Sequence, residues 1–73
     1  MKWLKLRKLK REEIQKAINN ESWQNFRKSL KEHDTKEKLD LLKWWYGRAV
    51  DKNLAEVQII NYINALKRGG LIK

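Results

Sequence analysis

The sequence predicts an all-α fold, a small bundle of three to four helices preceded by a basic N-terminal arm. Three observations predict it. Apolar residues recur at three- and four-residue steps, and strand-type alternation is sparse. The chain has no proline and only three glycines, so few breaks are forced. Cap-forming residues stand where the apolar period restarts. A chain of 73 residues is one domain, divided here into an arm at 1–11 and a helical domain at 12–73. A domain of this size buries only roughly 60% of its unfolded surface, so each packing contact counts. There is no cysteine to staple it. That fits a reducing compartment and leaves a homodimer as a further source of burial.

The arm "KWLKLRKLK" reads as a flexible or extended basic segment, with a helical extension as the alternative. Leu4 and Leu6 alternate with Lys5 and Arg7, as in a strand. On a helical wheel Arg7 and Lys10 fall among the apolar residues, which does not suit an amphipathic helix. The first helix is expected from about Lys10 to Asn19. Glu12 and Glu13 suit the positive end of its dipole. Ile14, Ala17 and Ile18 give a narrow apolar stripe, and "NNES" breaks it. The second helix is expected from about Ser22 to Glu32, with Trp23, Phe26 and Leu30 on one face.

The third helix starts at Asp34 or Thr35, where Asp34 and Glu37 have capping-box spacing, and runs to about Val50. At about 100° per residue, Leu39, Leu42, Tyr46, Ala49 and Val50 cluster, and Leu41 and Trp45 widen the arc. Trp45 and Tyr46 are therefore core residues. Trp44 falls outside the arc, beside Gly47 and Arg48. A glycine inside a helix costs about 1 kcal/mol relative to alanine, so Gly47 suggests a close approach. Either the arm covers Trp44 through Trp3 or Leu6, or Trp44, Gly47 and Arg48 form a partner-binding surface.

The fourth helix is expected after Asn53, ending at "RGG" with Gly69 as the left-handed residue. Ala55, Ile59, Tyr62, Ile63 and Leu66 form its apolar side. Gln58, Asn61, Asn64, Ala65 and Arg68 line the other side. Asn and Gln can pair with adenine, and Arg with guanine, in the major groove. The short link "DKN" lets the last two helices form a helix-turn-helix-like hairpin, although a plain antiparallel hairpin explains the same residues. Val57 and Ile60 are expected to be exposed, as a dimer seam or as a contact for a further helix.

The formal net charge is +9, with a pI near 10.1. Six cations and no acid lie in residues 1–11: Lys2, Lys5, Arg7, Lys8, Lys10 and Arg11. Residues 12–53 sum to only +1, and residues 54–73 to +2. The arm is thus basic and the body nearly neutral. This favours an anionic partner, either nucleic acid or an acidic protein surface. The leading expectation is a small DNA-binding regulator or accessory factor. The arm would hold phosphates, and Gln58, Asn61, Asn64 and Arg68 would make groove contacts. The alternative is a helical adaptor or inhibitor that binds an acidic protein through Trp44 and Arg48. A membrane-active cationic peptide is a third reading, opposed by nine acidic residues.

Catalysis is not expected. The single histidine, His33, sits beside Asp34 at a helix end, where a cation caps better than it catalyses. Ser22 and Ser29 have no evident histidine partner, and Glu12 and Glu13 are adjacent rather than on one face. No metal site and no cofactor is implied. No apolar run is long enough to span a bilayer, and no secretory leader pattern is evident. The expected setting is the cytoplasm of a microbe or the product of a virus or plasmid.

Overall fold

The structure, a computed structural model, describes residues 8–71. The described residues form four helices: α1 (Arg11–Ile18), α2 (Glu21–Leu30), α3 (Thr35–Arg48) and α4 (Lys52–Arg68). None is long and apolar enough to cross a membrane. The arm residues Lys2, Lys5 and Arg7, and with them Trp3 and Leu6, lie outside the described residues. Lys8 and Lys10 precede α1 and are exposed, whereas Arg11 already belongs to the helix.

Caps set the helix boundaries. The Asn20 side chain accepts the Trp23 N–H at 2.8 Å, so α2 begins one residue before Ser22. It ends at Leu30, where three successive tight turns carry the chain to His33. At α3 the expected capping box is present. Glu37 N–H donates to Asp34 Oδ1 at 2.8 Å, and Asp34 N–H donates to Glu37 Oε1 at 3.0 Å. His33 Nδ1 lies 3.7 Å from Glu37 Oε2, which places the lone histidine in this cap.

Three further boundaries differ from the sequence reading, each for a local reason. First, α3 stops at Arg48, and Val50 is fully exposed rather than part of the core. The Lys52 ammonium takes the carbonyls of Tyr46 and Gly47 at 2.6 and 3.0 Å, satisfying the helix end. Second, the cap of α4 is Asp51, not Asn53, with the Leu54 N–H donating to its carboxylate at 3.0 Å. Third, the left-handed residue is Gly70 (φ 77°), while Gly69 stays helical. The Gly70 N–H reaches Lys67 O and the Leu71 N–H reaches Leu66 O, the paired pattern that closes a helix.

The core centres on Trp23, Leu30, Leu42, Ile59, Tyr62, Ile63 and Leu66, with Trp45 and Tyr46 packed against it as expected. Trp23 is wholly buried and meets Phe26, Trp45 and Tyr62 at ring-centre distances of 5.9, 5.6 and 6.2 Å. Its indole N–H has no hydrogen-bond partner among the described residues. An orphaned donor costs about 1–3 kcal/mol. Three aromatic contacts, at about 0.5–1.5 kcal/mol each beyond their area, offset that cost.

Helix α4 packs on both α1 and α3 and is the centre of the bundle. Val57 and Ile60 are buried, not exposed. Their burial is met within the chain, where α4 packs on α1 and α3. The two outlying glycines should respond in opposite ways. A Cβ at Gly47 meets nothing within 4 Å among the described residues. Gly47→Ala should stabilise the fold by about 0.5–1 kcal/mol. Gly70→Ala should destabilise it by about 1–2 kcal/mol, because its φ is left-handed. Urea unfolding of the two variants checks both signs.

Candidate binding surfaces

Two surfaces emerge from this packing. Neither matches the face expected on α4. Gln58 was expected there, but it is 2% exposed and committed inside. Its Oε1 accepts the Trp45 indole N–H at 2.9 Å, and its Nε2 donates to the Ala17 carbonyl at 3.1 Å. Asn61 and Asn64 are half-buried. Of the expected groove-reading set, only Arg68 is fully at the surface. The physical reason is that α4 has neighbours on both flanks, and a polar side chain that finds two partners can be buried.

The first surface is basic and lies on α2. Gln24, Arg27, Lys28 and Lys31 are spaced three and four residues apart, hence on one face. With Ile18 they line a cavity of about 310 Å³ that has no carboxylate in its lining. Gln24 Nε2 donates to the Ile18 carbonyl at 2.9 Å, tying the end of α1 to this wall. The Arg27 guanidinium sits 5.7 Å from the centre of the Tyr62 ring, which holds it at the cavity. The sequence reading missed this cluster because it summed charge by segment. Residues 12–53 are close to neutral as a sum, but their cations and acids are not evenly mixed in space. The readable signal was the cationic spacing 27, 28, 31 on an otherwise amphipathic helix.

The second surface is at the junction of α3 and α4. Trp44 is 51% exposed, as its position off the apolar arc predicts. Phe26 stacks against it at 6.0 Å, and the Arg48 guanidinium lies 5.0 Å from its ring centre. Gly47 is exposed beside them, without the tight contact that its lack of a side chain suggested. Two cavities, of about 260 and 360 Å³, open here and share Ser22, Trp45 and Ala49 as walls. Among the described residues, no group of three or more His, Asp or Glu side chains is placed to hold a metal ion. No family model, curated protein or solved structure matches the chain.

Tyr62 reports on the first surface. Burial raises its phenol above the ordinary value of 10.0, and the Arg27 charge partly offsets that rise. Burial disfavours the phenolate, whereas a nearby cation favours it. The folded value thus exceeds the unfolded one. Its contribution to stability is complete below about pH 10 and is lost as pH climbs through the folded value. Arg27→Gln removes the offsetting charge, so Tyr62 should ionise at a higher pH than in the parent protein. An NMR titration of the Tyr62 ring checks this, and a downward move would contradict the placement of Arg27.

Proposed function

We propose that the protein is a small, non-enzymatic nucleic-acid-binding factor whose preferred partner is DNA. The observation that carries this reading is the cavity on α2, where Arg27, Lys28 and Lys31 converge without a carboxylate. Lysine and arginine spaced along one face neutralise successive phosphates and release their counterions. The exposed Lys8, Lys10 and Arg11 at the start of α1 add to the same attraction. So do Lys2, Lys5 and Arg7, by charge alone.

This changes the division of labour expected from sequence. Phosphate binding is shared between the arm and α2. The three-residue link between α3 and α4 keeps the length of a helix-turn-helix connection. Whatever base contact α4 contributes falls to Asn61, Asn64 and Arg68, because Gln58 is held inside. Such a protein binds mainly through backbone charge, with limited sequence preference. The reading implies a cytoplasmic setting.

The test is fluorescence anisotropy with a short labelled duplex between about 50 and 200 mM salt. The triple change Arg27→Gln, Lys28→Gln and Lys31→Gln should lower the magnitude of the log–log salt slope by about 2–3. Circular dichroism should show the helices retained. An unchanged slope removes α2 from the interface. If the parent protein binds no duplex across the series, the nucleic-acid reading itself fails.

A further inference from the structure

Among the cations that line the α2 cavity, one is placed differently from the others. Arg27 is half-buried, whereas Lys28 and Lys31 are exposed. The Arg27 guanidinium carbon lies over the Tyr62 ring of α4, 5.7 Å from its centre. Cations meet aromatic rings at three places among the described residues: Arg27 on Tyr62, Arg48 on Trp44 and Lys52 on Tyr46. Neither lysine of the cavity is held in this way.

The ring that holds Arg27 is itself fixed. Tyr62 is buried and belongs to the core. Trp23, wholly buried, meets it edge-on at a ring-centre distance of 6.2 Å. Tyr62 does not line the cavity, so any effect it has on a ligand there passes through Arg27. A ring contact pairs none of the guanidinium N–H donors with an oxygen, and the fork stays available to a phosphate. A free arginine loses rotamer freedom when it binds, and one already seated has less to lose.

We propose that Tyr62 is a positioning residue for the nucleic acid: its ring sets the Arg27 guanidinium as the fixed phosphate contact of the α2 cavity, while Lys28 and Lys31 add charge without fixed geometry. The inference rests on the reading of α2 as a phosphate-binding face. It ties that face to the core through Trp23, Tyr62 and Arg27 in sequence. Arg27 then contributes geometry as well as charge, and the two respond to different variants. Removing the ring removes the geometry and leaves the charge count intact. Removing the guanidinium removes both.

The experiment measures duplex binding by fluorescence anisotropy across a salt series. It compares the parent protein with Arg27→Gln, Tyr62→Leu, Tyr62→Phe and the double variant Arg27→Gln, Tyr62→Leu. Tyr62→Leu should weaken binding by about two- to tenfold, the cost of immobilising one long side chain, with the salt slope unchanged. Tyr62→Phe carries the same ring and should restore the parent affinity. Arg27→Gln should lower the magnitude of the slope by about 1. In the Arg27→Gln background, Tyr62→Leu should have no further effect, a result that general loosening of the core would not give. A second measurement needs no variant: NMR relaxation of the arginine Nε–H groups in the free parent protein. Arg27 should be more ordered there than the exposed Arg68. If Tyr62→Leu does not fold, this comparison decides. The inference is overturned if Tyr62→Leu binds like the parent, if it weakens binding equally with and without Arg27, or if Arg27 is as mobile as Arg68. If Arg27→Gln changes neither affinity nor slope, or the parent protein binds no duplex, the reading of α2 itself fails and takes the inference with it.

Discussion

The fold depends on one buried amide. Gln58 reaches from α4 in two directions, accepting the Trp45 indole proton from α3 and donating to the Ala17 carbonyl of α1. It is the sole polar or charged side chain in the buried core of the described residues. A buried amide left without partners costs about 1–3 kcal/mol for each orphaned group, so the bridge is worth keeping only if both ends are met. When both are met, the rotation of α4 about its own axis is fixed. Ile59, Tyr62, Ile63 and Leu66 then join the core with Trp23, and Val57 and Ile60 are buried as well. The same bond fixes Trp45, which is the shared wall of the two cavities at the α3–α4 junction. The packing centre and the cavities at the α3–α4 junction are therefore coupled through a single side chain.

Much of this was legible in the sequence. The Asp34–Glu37 box, the core roles of Trp45 and Tyr46 and the outlying position of Trp44 all follow from spacing on a helix. The rest was not legible, for identifiable reasons. A wheel treats a helix as having one apolar and one polar side, whereas α4 has neighbours on two sides. Gln58 reads as solvent-facing because glutamine is polar, and its partners lie 13 and 41 residues away. Val50 continues the apolar period of α3, yet Asp51 captures the Leu54 N–H and begins α4 too soon for the period to matter. Residues 69 and 70 are both glycine, and composition alone does not say which of the two turns left-handed.

Charge shows the same contrast between sum and place. By segment the body of the chain is almost neutral, which drew attention to the arm. In space, Arg27 and Lys28 of α2 and Lys31 at its C-cap share a cavity with no acid in its lining. Their position near the C-terminal end of α2 is also favourable to the helix, because cations complement its negative end. On the proposed reading, stability and anion binding ask for the same residues at the same place. At the other junction the demands diverge. Trp44 and Val50 add little to the core, and their exposure is a cost to the fold.

The central claim is that the Gln58 bridge organises the bundle, and a double-mutant cycle tests it most directly. Trp45→Phe, Gln58→Leu and the double variant would be unfolded in urea beside the parent protein. The account predicts a coupling energy of about 1–3 kcal/mol between the two positions, because each single change orphans the other's buried group. A coupling near zero would mean that the two side chains do not hold each other, and that α4 takes its place in the bundle by apolar packing alone.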